Sequence, residues 1–332
     1  MKIANTHWRF LVLIGLFVFV AFLFSVLWLR FLRPMDFPEV QYGVTFSTEY
    51  AQQLEMDPFQ TYRQLVEELG VKQIRLPMYW SSIERERGEY DWDLMDQLME
   101  YSSQHNLALT LVVGAKVPRW PECYIPDWAE GLDPSTQQRA VLTWIETVVN
   151  RYKDSTAVVR WQVENEPFFP FGVCPNMSEA QFQERVDLVR RLDPTRPIQI
   201  TVSGESFSWF PETDSSDILG FSLYRLTWND AFGYFLYPLT PEFYYARAHM
   251  AKKHVQQVII SELQAEPWFP EPLETRSLDR WYQAFDAQMF QRNIQFVENV
   301  HVSEVYLWGA EWWLYLKQHG DPRLWNVALD LF

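Results

Sequence analysis

The chain has 332 residues, a formal net charge of −15 and 48% hydrophobic residues. That length suits one large domain or two small ones, with ample apolar mass for a core. So acidic a chain lacks the basic face that phosphate backbones require, which argues against nucleic-acid binding and against an anionic polymer as substrate.

In chain order, the first feature is Phe10 to Leu29, FLVLIGLFVFVAFLFSVLWL, which carries no charge. As a helix it would cover about 30 Å, the thickness of a bilayer's hydrocarbon layer. Arg9 and Arg30 bracket it, and Trp28 stands where an interfacial aromatic would. It has no polar stripe, and no Ala-x-Ala site precedes Pro34, so the run reads as an uncleaved signal anchor. The expected division is a short segment over 1–9, a transmembrane anchor over 10–32, a linker over 33–39 and a domain over 40–332. Lys2 and Arg9 nearly balance Arg30 and Arg33 under the positive-inside rule. The acidic remainder and the chemistry expected of it favour an extracytoplasmic domain.

Beyond the anchor, eight short apolar runs read as strands: Tyr42–Phe46, Gln73–Pro77, Ala108–Val113, Val158–Val163, Ile198–Val202, Ile218–Leu223, Gln257–Ile260 and Glu304–Trp308. Stretches with helical spacing lie between most of them: Tyr62–Leu69, Trp92–His105, Gln138–Tyr152, Glu179–Leu192, Glu242–His254 and Leu278–Val300. Alternating strands and helices of this number predict an α/β fold, a parallel (β/α)8 TIM barrel. The fifth and sixth runs stand too close for a full helix, and a last helix after the eighth must be short.

Active sites of such barrels sit at the C-terminal ends of the strands. Arg75, Tyr79 and Trp80 follow the second run here, and Lys116 and Trp120 the third. The fourth ends in Glu164-Asn165-Glu166. Glu205 follows the fifth, Tyr224 and Arg225 the sixth, Glu262 the seventh, and Trp308 and Glu311 the eighth. Polar and aromatic groups gather at one end, which packing alone does not predict. Two carboxyl groups facing one cup are what glycoside hydrolysis requires, one protonated and one ionised. Sixteen tryptophans are many; they fit either a Trp-rich core or a cleft in which indoles stack on sugars. Trp312 and Trp313, with Trp80 and Trp120, fall in expected loops at that end. No His-x-x-x-His or Cys-x-x-Cys spacing is present, so neither metal nor organic cofactor is expected. Cys123 and Cys174 are left as one disulfide between two loops or two unpaired thiols.

Asn165-Glu166-Pro167 at the fourth strand, with Glu262 at the seventh and Trp308 at the eighth, resembles the clan A glycoside hydrolases. IRLPMYW at the second strand, with the stretch GEYDWDLMDQLMEYSSQHNLALTLVV after it, is similar to the family-five, cellulase-like members. The resemblance implies a retaining (β/α)8 enzyme acting on an oligo- or polysaccharide. By it, Glu166 is the acid/base, Glu262 the nucleophile, and Asn165 a partner of the sugar's 2-hydroxyl. Tyr224 and Arg75 attend the nucleophile and Trp308 forms the floor. Glu205 and Glu311 are further candidates for substrate hydroxyls, and Glu266 is a rival to Glu262. Alternation puts Glu164 and Glu166 on one face; only the Asn-Glu match separates them, leaving Glu164 a structural role. Two departures stand out. No histidine follows the third strand, where VVGAKVPRWPE resembles β-galactosidase-like and β-xylosidase-like members instead. Ser222 and Leu223 stand where family-five chains often carry a histidine. Transglycosylation of surface polysaccharide and a non-catalytic carbohydrate-binding barrel are the alternative functions; no protein partner is indicated.

Overall fold

The short apolar runs fold as strands at nearly the bounds read from the sequence, except the seventh, which runs on from Ile260 to Gln264. The computed structural model describes residues 12–16, 19–20, 39–205, 209, 216–229, 231 and 233–332. Eight parallel strands close a barrel: β1 (Gln41–Thr45), β2 (Gln73–Pro77), β3 (Ala108–Val113), β4 (Val158–Val163), β5 (Ile198–Val202), β6 (Ile218–Leu223), β9 (Gln257–Gln264) and β10 (Glu304–Trp308). The order round the barrel follows the chain, with β10 paired to β1. An antiparallel hairpin, β7 (Leu226–Asn229) and β8 (Gly233–Leu236), is inserted after β6; the sequence reading did not foresee it.

Local chemistry sets the helix ends. The Asp57 side chain accepts from Gln60 N at the start of Pro58–Leu69, and Gly70 closes that helix with φ 81°. Ser178 and Gln181 form a reciprocal capping box on Glu179–Leu192. The single helix expected over Leu278–Val300 is two, Leu278–Ala284 and Ala287–Glu298. Asp286 intervenes with extended backbone and caps the second through Met289 N. Two short helices, Ala310–Gln318 and Arg323–Leu329, follow β10.

Within the barrel strands one set of side chains faces the helices and the other the axis. Ile74, Leu76, Trp161 and Val163 join the main apolar core. Arg75, Gln162, Gln199 and Thr201 point inward with almost no exposure. They bond across the axis: Arg75 Nε donates to Gln162 Oε1 at 2.7 Å, and Gln199 Nε2 to the same oxygen at 3.0 Å. A buried polar interior must be paired to be tolerated, and this one is. Arg160 and Glu304 form a second inward pair, with Tyr306 alongside Arg160.

The anchor expected over 10–32, the linker over 33–39 and the segment over 1–9 fall mostly outside the described residues. Val12–Leu16 and Phe19–Val20 are helical and exposed. Among the described residues no helix is long and apolar enough to cross a membrane.

Candidate active site

The two expected catalytic carboxyls reach one cup by different backbone devices. β4 ends at Val163, after which Glu164 and Glu166 take positive φ, 59° and 44°. That breaks the alternation which would have put both on one face. Glu164 turns away from the cup and is fully buried. It accepts from Arg185 Nη1 at 2.6 Å, Lys116 N at 2.6 Å and Ala115 N at 3.1 Å. Gly114 is needed beside it, because a Cβ there would stand 2.1 Å from Glu164 Oε1. The structural role read for Glu164 therefore stands, and the shared face is corrected. Asn165 and Glu166 turn the other way. Glu166 N donates to Thr201 Oγ1 at 2.9 Å, and its Oε1 accepts from Ser222 Oγ at 2.7 Å.

Glu262 arrives through a bulge. Phe221 pairs with Ile260 and Ser222 with Glu262, leaving Ser261 as the extra residue; the pairing with β10 shifts at the same place. Ile259 faces the axis beside Tyr306, so strict alternation would turn Glu262 outward. The bulge re-aims it inward. Its Oε1 accepts from Arg75 Nη1 at 2.7 Å and its Oε2 from the Tyr224 hydroxyl at 2.9 Å. Arg75 Nη2 also donates to Asn165 Oδ1 at 2.7 Å. One buried guanidinium thus ties three of the expected residues together.

The cup holds the carboxyls in unlike environments. Burial, then the Glu262 charge, push the Glu166 carboxyl up to about 8, against the pull of the Ser222 hydrogen bond. Glu166 is therefore a neutral acid near pH 7, while both Glu262 oxygens accept hydrogen bonds from a cation and a phenol.

Trp308 is 8% exposed, with the Arg119 guanidinium 4.3 Å from its ring centroid and the Tyr224 ring at its edge. Trp120 stands at the rim, 59% exposed, beside Phe171. Four other expectations are corrected. Trp80, Trp312 and Trp313 have no exposed surface and belong to the core. Trp80 stacks near Trp144, and Trp313 donates its indole N–H to Ala265 O. Glu311 is also fully buried; it accepts from Ser47 N and lies 3.7 Å from Arg119 Nη2. It supports the floor and does not reach the cup. Glu205 accepts from Tyr224 N at 3.2 Å and the Tyr244 hydroxyl at 3.0 Å, bracing the end of β6. Glu266 is bound to Arg119 at 2.5 Å and stays apart from the Arg75–Tyr224 pair that holds Glu262. Cys123 and Cys174 are joined, with Cα atoms 5.3 Å apart, linking the loops after β3 and β4.

Two residues in this cluster are not among those expected. Arg119 lies between the Tyr50 and Trp308 rings. Glu122, 5% exposed, accepts from Asn165 Nδ2 at 2.9 Å. Both lie in VPRWPE, where the sequence reading singles out only Trp120. A charged residue immediately before the cross-linked Cys123 was the available signal. Among the described residues no His, Cys, Asp and Glu cluster is fit to hold a metal ion.

The model of glycosyl hydrolase family 10 matches residues 40–186. The chain is 27% identical over 134 residues to the beta-galactosidase BgaA of Clostridium cellulovorans, covering 35% of this chain and 20% of that protein. A beta-galactosidase structure from Bacillus circulans sp. alkalophilus superposes with a TM-score of 0.60 at 13% identity, covering 90% of this chain and 56% of that one. The GH5_18 structure from Streptomyces cattleya, in complex with GlcNAc, gives 0.57 at 14% identity over 82% of this chain and 71% of that one. The aligned part is thus about a fifth of the curated relative's length. The expected likeness to the clan A barrel glycoside hydrolases is borne out, and the matches are spread over several of its families.

Proposed function

We propose that this chain is a retaining β-glycosidase in which Glu262 is the nucleophile and Glu166 the acid/base. The observation that carries it is the unlike setting of the two carboxyls. Glu166 is neutral by burial, and Glu262, held by Arg75 and Tyr224, stands across the same mouth with β5 and β6 between their strands. A Glu262 oxygen bonds to the anomeric carbon as the glycosidic C–O bond breaks. The Glu166 proton passes to the departing oxygen. Water then gives a proton back to Glu166 and its oxygen to the anomeric carbon, freeing Glu262 with configuration retained. Asn165 meets the 2-hydroxyl, Trp308 lies under the ring, and Trp120 with Phe171 offers an aromatic rim for the leaving group. The substrate is a neutral β-linked oligo- or polysaccharide, in keeping with the acidic chain and with relatives named for galactosides.

Tethering belongs to the same reading. The charge-free run Phe10–Leu29 supports a membrane anchor, and the Cys123–Cys174 bond supports an oxidising, extracytoplasmic setting.

The test is hydrolysis by the full-length chain of aryl β-galactosides, glucosides, mannosides and xylosides, with the first-formed anomer read by proton NMR. Activity with retention, lost in both Glu166→Gln and Glu262→Gln, supports the reading. An inverted product contradicts it. Sugar binding without turnover would favour the non-catalytic barrel.

A further inference from the structure

The loop after β3 is shaped to project one side chain. Arg119 and Glu122 take φ of 96° and 74°, a region that a residue with a side chain adopts only where its surroundings hold it there. Here they do. Glu122 N donates to Arg119 O at 2.7 Å, and Val117 N to Glu122 O at 2.8 Å. Cys123 is cross-linked to Cys174. Gly172 leaves the space, since a Cβ there would stand 2.5 Å from Glu122 Cβ. A plain connection between β3 and the next helix needs none of this.

What the loop delivers is a carboxyl against Asn165. The amide oxygen of Asn165 is already taken, by Arg75 Nη2 at 2.7 Å and Thr201 Oγ1 at 3.1 Å. Its nitrogen has two hydrogens, and one goes to Glu122 Oε2. We propose that Glu122 is the positioning residue of this site: by taking one hydrogen of the Asn165 amide it aims the other at the 2-position of the sugar over Glu262, and so selects the 2-substituent. The inference rests on the glycosidase reading and deepens it. The free N–H is a donor, so a 2-hydroxyl oxygen satisfies it. A 2-ammonium, which only donates, does not, and a 2-deoxy sugar leaves it unpaired.

Glu122 also acts on the acid. Facing it are Glu262 from β9, Lys116 from its own loop, Arg75 from β2 and Asn165; facing Glu166 are Glu262, Ser222 from β6, Lys116 and Glu122. Burial, then the Glu262 charge, push Glu122 up to about 8. Its own charge is among the causes that raise Glu166, after burial and the Glu262 charge. Removing an ionisable group at 122 removes that push and lets Glu166 ionise at lower pH.

The experiment uses the full-length chain as wild type, Glu122→Gln and Glu122→Ala, with Glu262→Gln to check the underlying reading. Aryl β-glycosides matched except at C2 (hydroxyl, hydrogen or ammonium) report kcat/KM between about pH 5 and 9. Wild type is expected to favour the hydroxyl over the deoxy substrate by about 100-fold. Glu122→Gln keeps most of that preference, because its amide oxygen still accepts from Asn165. Glu122→Ala loses about tenfold of it or more. Both variants bring the basic limb to lower pH. An equal loss on all three substrates with an unmoved limb means loop packing only and overturns the proposal. Should Glu122→Ala fail to fold, Glu122→Gln decides, and an unmoved limb overturns it. Wild-type inactivity on every glycoside, or activity that survives Glu262→Gln, overturns the glycosidase reading and this inference with it.

Discussion

Arg75 Nη1 lies 2.7 Å from Glu262 Oε1, and Arg75 has no exposed surface. An ion pair so deep in the barrel mouth stabilises little by itself, because both groups give up hydration. Breaking it from one side is costly. Arg75→Met leaves Glu262 uncompensated and is expected to lower folding stability by roughly 3–5 kcal/mol. It should lower kcat/KM by about 100-fold or more, since Asn165 loses its tether too. Denaturant unfolding and steady-state kinetics on the same preparation check both.

Tyr224→Phe removes one hydrogen bond from Glu262 Oε2 and leaves the ring's edge contact with Trp308. Expected is a drop in kcat of about 10–100-fold with a small change in KM, because the lost bond acts on the reacting carboxylate. A change confined to KM would show that Tyr224 only packs against the sugar.

Activity is expected to fall as pH rises through about 8, where Glu166 gives up its proton. Stability follows with a definite sign. The folded Glu166 value lies above the ordinary 4.5, so its contribution is fully present below about pH 4.5 and is lost as pH rises towards 8. Glu166→Gln, which cannot ionise, should therefore be more stable than wild type at pH 7, by roughly 1–3 kcal/mol. The gain should vanish near pH 4. Thermal unfolding at the two pH values checks this, and an unstabilised variant at pH 7 would show that Glu166 is not held neutral.

The Cys123–Cys174 bond closes a span of 51 residues and fastens the two loops that carry Glu122 and Phe171. Replacing both cysteines by serine should lower stability by about 2–4 kcal/mol. It should also lower kcat/KM severalfold, with selectivity at C2 affected more than overall turnover. Unfolding curves beside kinetics on matched 2-hydroxy and 2-deoxy glycosides separate the two effects.

Much of this was legible in the sequence where one residue type has one use. Asn165-Glu166-Pro167, Glu262 and Trp308 recur at strand ends, and β2 to β6 kept their expected bounds, because short apolar runs between amphipathic stretches leave a chain few folds. Direction was the illegible part. Glu164 leaves the cup because two positive φ values break the alternation, and Glu262 enters it through a bulge. Trp80, Trp312 and Trp313 follow strands but turn into the core, since position after a strand does not say which way an indole points. Glu122 escaped notice because its aim comes from a turn and a cross-link formed only in the folded chain.

In the proposed mechanism Glu262 attacks the sugar and carries it covalently. The most direct measurement is mass spectrometry of the full-length chain after incubation with dinitrophenyl 2-deoxy-2-fluoro-β-glycosides of the galacto, gluco, manno and xylo series. One fluoroglycosyl unit per chain is expected, on the peptide holding Glu262 and absent in Glu262→Gln. A label on Glu266 or Glu166, or turnover with inversion and no adduct, would contradict it.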